Sequence, residues 1–254
     1  MKWFVQVTGK NSVLEELSKS CNSPEACITQ EEGSFFLRSR YFASLTNESD
    51  VRKKATEILS SVSGWLRKER RIREPLVLDC VCRVDDDGTV QKFIFLSGTA
   101  EAVTVTESVT VQIMNENGTV QESHHGPAID PIQNVVALAQ NDENVMGALR
   151  IYGSRPHNWG NLYNIYEIVE EGVGGRKKML EKRWTSDNKI ELFKWTANSR
   201  RAIGDESRHG KKSWRPPPNP MKSHEAGSFI RTILDNWLRS KGINRGPYYL
   251  KFNP

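Results

Sequence analysis

Apolar and polar positions alternate at the start of the chain. Trp3, Val5 and Val7 share one face of a first strand that Gly9 ends, because successive strand residues point to opposite sides. A short helix follows, with Val13, Leu14 and Leu17 on one side. A hairpin comes next: Ile28 lies in its first arm, Glu31, Glu32 and Gly33 form the turn, and 35–42 is the second arm. The segment 50–73 has the strongest helical period, with Val51, Ala55, Ile58, Leu59, Val62, Trp65 and Leu66 three or four residues apart. Asp50 is its expected N-cap and Pro75 its stop.

Residues 76–123 read as an antiparallel meander. Strands are expected at 76–84, 90–96 and 103–114, with Asp85 to Gly88 as one turn and Asn117-Gly118 as a two-residue hairpin turn. At Asp130 the period changes to helical. Asp130-Pro131 gives an N-cap and a first-turn proline, and Ile132, Val135, Val136 and Ala139 form the inner face. Further helices are expected at 143–152, from Leu162 through Val169 to Gly172, at 186–198 and at 226–238. The last has a wide stripe of Phe229, Ile230, Ile233, Leu234, Trp237 and Leu238. The fold class is therefore α+β: an antiparallel sheet with covering helices in residues 1–125, and a basic, mainly helical, bundle-like part in 126–254.

At 37% hydrophobic and 26% charged, the 254 residues can bury a core. No apolar run reaches the roughly 18 to 20 residues that span a bilayer, and the opening apolar stretch is too short for a signal peptide. The expected setting is the cytoplasm, with no membrane partner, and the four cysteines are expected as reduced structural thiols. Charge is segregated. Residues 1–73 carry 13 Lys and Arg against 9 Asp and Glu, 74–175 carry 4 against 15, and 176–254 carry 19 against 7. A basic back half either meets the acidic middle or meets a polyanion.

Several clusters have chemical capacity. Gly172, Gly174 and Gly175 before Arg176 could cradle a phosphate, but the run closes a helix where a phosphate loop would open one, so a C-cap is the better reading. His124 and His125, in a strand, would point to opposite faces and not share a metal ion easily, so a polar loop between sheet and helices is the better reading and no metal site is assigned. No cofactor motif occurs. The densest cluster is Asp205, Arg208 and His209, which could transfer protons and stabilise the phosphorane-like charge of RNA cleavage by the 2′-OH. Around it Arg183-Trp184, Lys194-Trp195, Arg200-Arg201 and Trp214-Arg215 interleave cations with aromatics, with Lys211 and Lys212 close by, the combination that binds phosphates and stacks bases. Trp195, beside Phe193 on a helix, also reads as a core residue.

Other residues carry a resemblance. Lys2-Trp3 through Val7-Thr8-Gly9, Trp159-Gly160-Asn161-Leu162-Tyr163-Asn164-Ile165-Tyr166-Glu167-Ile168, Thr196-Ala197-Asn198-Ser199, Glu225-Ala226 and Ile233-Leu234 to Trp237-Leu238 are part of it. So are Gly204-Asp205, Arg208-His209-Gly210 and Pro217-Pro218-Asn219-Pro220-Met221. Together they resemble a widespread family of uncharacterised bacterial proteins over nearly the whole chain. The helical half also loosely resembles the HEPN superfamily of helical bacterial domains, many of them RNA-cutting enzymes of defence and toxin systems. Those carry an arginine, four to six intervening residues, and then a histidine. Here seven residues separate Arg201 from His209 and none separates Arg208 from it, so the spacing departs from that pattern.

The expected function is engagement of RNA or a nucleotide by the basic helical half, with metal-independent ribonuclease chemistry as its catalytic form. Asp205, Arg208 and His209 would be catalytic; Arg200, Arg201, Lys211, Lys212, Trp214 and Arg215 would bind nucleic acid. The rival expectation is a non-catalytic interaction module or a homo-oligomer. Small-molecule catalysis ranks third, since no cofactor motif supports it.

Overall fold

A computed structural model describes residues 2–95, 102–105, 131–208 and 215–243. These residues form an α+β arrangement, and the chain divides into two units. A sheet unit comprises 1–59, 76–137 and 245–254, and a helical unit comprises 60–75 and 138–244. No helix among the described residues is long and apolar enough to cross a membrane.

In the sheet unit, strands β1 (Lys2–Thr8), β2 (Cys27–Glu31), β3 (Ser34–Arg38), β4 (Val77–Val84), β5 (Val90–Phe95) and β6 (Ala102–Val105) form one sheet. Their order is β2-β3-β1-β4-β5-β6, and every neighbouring pair is antiparallel. The alternation in β1 holds, for Trp3, Val5 and Val7 are buried together. Phe4 is buried on the opposite face beside Cys80, Cys82 and Val90, since a central strand has both sides covered. The Cys80 and Cys82 thiols lie 3.7 Å apart, and all four cysteines are free. Helix α1 (Asn11–Ser20) buries Val13, Leu14 and Leu17, as its spacing requires.

The hairpin turns through Glu32 and Gly33, whose φ values of 49° and 80° give the two left-handed positions of a two-residue loop. Its second arm ends at Arg38, earlier than the pattern implied. Residues Arg40–Phe42 form a 3-10 turn, in which Phe42 is buried as it would have been in a strand. Helix α2 (Glu48–Arg70) starts before Asp50. Asn47 is the cap: its side-chain oxygen accepts the Asp50 N–H at 2.9 Å, and its amide donates to the Asp50 carboxylate at 2.7 Å. Its first half lies in the sheet unit, where Val51, Ala55, Ile58 and Leu59 are buried and the Arg52 guanidinium sits 4.3 Å over the Phe95 ring. Of the expected strand 103–114 only the first residues are described, paired antiparallel with β5; Asn117-Gly118, His124, His125 and Asp130 lie outside the described residues.

Helix α3 (Pro131–Asn141) spans the division of the units. The helical unit continues with α4 (Glu143–Ser154), α5 (Trp159–Val173), α6 (Arg176–Glu181), α7 (Asp187–Asn198), α8 (Arg200–Ile203) and α9 (Ser223–Ser240). Its core is aromatic. Tyr163 and Tyr166 of α5, Phe193 of α7 and Phe229 of α9 have successive ring centroids 5.1 to 6.3 Å apart, within the range of favourable aromatic pairs. Leu162, Ile165, Ile233 and Trp237 are all buried, as the three-and-four spacing predicts. Gly64 of α2 lets α4 approach closely: a Cβ there would lie 2.3 Å from the Leu149 carbonyl oxygen. Lys68 is buried on the same stretch of α2. It pairs with Glu69 and, at 2.6 Å, with Asp235 of α9, and its ammonium lies 4.2 Å from the Trp65 ring centroid.

Candidate nucleic-acid interface

The C-terminal end of α7 organises the region that holds most of the candidate residues. Thr196 is fully buried, with its hydroxyl donating to the Leu192 carbonyl at 2.8 Å and accepting the Met221 N–H at 3.1 Å. The Ala197 carbonyl accepts the Arg208 N–H at 3.0 Å. The Trp195 indole N–H donates to the Arg215 carbonyl at 2.6 Å. Arg215, Met221 and Arg208 are thus tied one each to three consecutive residues of one helix, Trp195, Thr196 and Ala197. The reason is local. Helical spacing sends Phe193, Thr196 and Ala197 inward, while Trp195 emerges on the outer side. Trp195 is 40% exposed, which corrects the reading of this residue as core. Its polar atom is satisfied and its orientation fixed, so an apolar ring is presented to solvent without an orphaned N–H.

Asp205, Arg208 and His209 are not brought together among the described residues. Asp205 sits in a 3-10 turn after α8, is fully exposed, and pairs with Arg200 at 2.7 Å. Arg208 pairs with Glu167 of α5 at 3.0 Å, and its guanidinium lies 4.3 Å from the Tyr163 ring centroid. That geometry gives Arg208 a structural occupation, pinning the segment after α8 to α5. Arg201 is exposed on the first turn of α8, and Arg215 is exposed, with its carbonyl accepting the Trp195 indole N–H. His209, Lys211, Lys212 and Trp214 lie outside the described residues.

The glycine run ends α5, as expected, with Gly174 in the left-handed conformation at φ 89°. It also opens the short α6, where Arg176 is engaged by Asp187 at 2.6 Å and by Glu191. Hydrogen bonding to Glu191 is the main cause that raises the Arg176 pKa above its ordinary value, so this guanidinium belongs to a carboxylate cluster. Beneath the surface, the Tyr166 hydroxyl donates to Glu170 at 2.8 Å, and burial with that carboxylate pushes the phenol pKa upward. Tyr166 therefore stays protonated and is not an acid–base group here. Lys194, next to Trp195, holds its ammonium 5.7 Å from the Tyr166 ring centroid.

One participant escaped the sequence, Glu167 as the partner of Arg208; Trp195 is among the cation–aromatic pairs read from the sequence, alongside its reading as core. Glu167 stands 41 positions before Arg208, so no local spacing joins the two. Trp195 carried a signal, since Ile190, Phe193 and Ala197 already fill the inward stripe of α7. No family model matches the chain, and no curated protein or solved structure gives a match.

Proposed function

We propose that the helical unit is a cytoplasmic binder of single-stranded RNA, with Trp195 as its base-stacking platform. The observation that carries this reading is an exposed indole held in place by its own N–H within a unit of 24 Lys and Arg against 14 Asp and Glu. Lys194, Arg201 and Arg215 belong to the same stretch of chain and would meet phosphates while a base stacks on the ring. Stacking tolerates any base, so the recognition expected is of strand and charge, with weak sequence preference.

Binding is favoured over cutting. Arg208 and Asp205 are each engaged by an ion pair, Glu167 for one and Arg200 for the other, which leaves neither poised beside a scissile phosphate. The test is a labelled single-stranded RNA incubated with the wild-type chain and with His209→Ala. The expectation is binding by both and cleavage by neither. A ribonuclease would instead lose roughly 10²- to 10⁴-fold in cleavage rate in the variant while still binding RNA, and that result would replace the binding reading with a catalytic one.

A further inference from the structure

Within the helical unit, the last turns of α2 meet α4 where Gly64 faces Leu149, and meet α9 where Lys68 pairs with Asp235. Arg67 lies between these two contacts along α2. Its Nη1 donates to the Tyr152 and Arg155 carbonyls at 3.1 and 2.9 Å, supplying donors that the last carbonyls of α4 lack. The Tyr152 and His157 rings pack beside each other, with centroids 4.5 Å apart. Helix α2 stops at Arg70, and the chain leaves it through Arg71 at φ 57°, a left-handed conformation that a side chain with a Cβ rarely adopts.

Four arginines act on this tyrosine–histidine pair. The Tyr152 phenol feels the charges of Arg231, Arg67 and Arg71, and the His157 imidazole those of Arg67 and Arg73. Charges that still act on one another at ordinary ionic strength lie within about 10 Å. Burial lowers the Arg67 pKa and the like charge of Arg73 lowers it further, with no carboxylate among the groups acting on it. Glu69, the carboxylate that acts on Tyr152, is already paired with the buried Lys68. Among the described residues no carboxylate pairs with Arg71, Arg73 or Arg231. The Tyr152 hydroxyl has no hydrogen-bond partner among them either, although the residue is only 4% exposed. A buried tyrosine ordinarily satisfies its O–H. The dipole of α2 favours cations at its C-terminus, but it gives no reason for Arg231, in the middle of α9, or for an unpaired phenol.

We propose that this corner of the helical unit is a phosphate-binding site, in which Arg71, Arg73 and Arg231 hold the anion and the Tyr152 hydroxyl donates to one of its oxygens. Arg67 stays on the α4 carbonyls and adds its charge. Guanidinium forks match phosphate oxygens, and a phosphate brings about −1.5 to −2 of charge against the uncompensated cations. A free phosphate and an RNA backbone present the same chemistry. The site does not rest on the RNA surface at Trp195.

Isothermal titration of the full chain with inorganic phosphate, at constant ionic strength in chloride, tests the proposal. Saturable binding is expected. Arg73→Gln and Arg231→Gln should each weaken it about tenfold, the usual consequence of losing a charge-assisted hydrogen bond. Arg71→Asn, whose new residue tolerates the left-handed backbone, should do the same. Tyr152→Phe keeps the ring and should weaken binding about threefold to tenfold. Arg71 and Arg73 are exposed, so their variants should melt close to wild type and report on binding alone. A parallel titration with single-stranded RNA identifies the source. Equal losses for RNA and phosphate in Arg231→Gln support a strand phosphate at this site, and loss for phosphate alone supports a free phosphate or phosphomonoester. The proposal is overturned if phosphate does not bind, or if the arginine variants bind it like wild type. It is also overturned if phosphate binding disappears in Trp195→Ala and survives in Arg231→Gln, which would move the anion to the Trp195 surface.

Discussion

The sheet unit is acidic, with 12 Lys and Arg against 17 Asp and Glu, whereas the helical unit is basic, with 24 against 14. The arrangement of cations does not follow that balance. In the acidic unit Arg38 pairs with Glu31 and Arg40 with Glu25. In the basic unit Lys68, Arg176, Arg200 and Arg208 are each engaged by carboxylates. Net charge sets the long-range field, but a site needs cations whose donors are still available and whose positions converge. Much of the basic charge in the helical unit serves its own architecture, and what it offers outward at Trp195 is an aromatic ring flanked by fewer cations than the composition implies.

The comparison breaks first at the helical core. Trp237 is 1% exposed, and a Cβ added at Gly172 would lie 2.4 Å from its ring, so the indole is tightly enclosed. Trp237→Ala should lower the stability of the helical unit by about 3 to 5 kcal/mol, read from denaturant unfolding. An unchanged midpoint would mean that the aromatic stripe of α9 is not core. Asp235→Ala comes next. It removes one of two carboxylates from the buried Lys68 ammonium, leaving Glu69 as its partner, and should cost about 1.5 to 3 kcal/mol, the usual worth of a hydrogen bond to a charged group. A negligible loss would show that Lys68 gains solvent or relies on Glu69 alone.

A pH dependence separates the two units more gently. His157 is half-buried, its Nε2 lies 2.9 Å from the Tyr152 carbonyl, and burial lowers its pKa below the ordinary 6.5. The unfolded chain then binds the proton that the folded chain refuses, so stability should fall as pH drops from about 6.5 toward the folded pKa. Unfolding midpoints at pH 7.5 and pH 5.5 check this, and the fall should shrink in His157→Gln. If both proteins lose stability equally, another group is responsible. The smallest effect is expected at Glu167→Gln. That pair is well exposed on both sides and should contribute about 0 to 1 kcal/mol, within reach of a careful denaturant titration. A loss of several kcal/mol would make Arg208 a central strut.

Periodicity carried most of the fold. The stripes of β1, α1, α2 and α9 named their buried residues because burial repeats at two or at three to four positions. Ends were less legible. Asp50 has the right chemistry for a cap, yet Asn47 holds the position because its amide and the Asp50 carboxylate engage each other. Residues 40–42 continued the apolar pattern of β3 but fold as a 3-10 turn, since one buried phenylalanine satisfies either geometry. The candidate site was legible only as composition. Neighbouring charges such as Asp205 and Arg208 look like a catalytic cluster in a line of text, but their partners, Arg200 and Glu167, decide what they do.

The most direct measurement is a titration of the purified chain with single-stranded RNA at low and at moderate salt, in parallel with Trp195→Ala. Affinity should fall steeply with salt because phosphate contacts release condensed cations. Trp195→Ala should lose about 1 to 3 kcal/mol of binding, the usual contribution of a base–aromatic stack. It should also unfold within about 0.5 kcal/mol of wild type, as expected for an exposed side chain. Absence of binding at low salt, or equal binding by Trp195→Ala, would contradict the assignment of the helical unit to RNA.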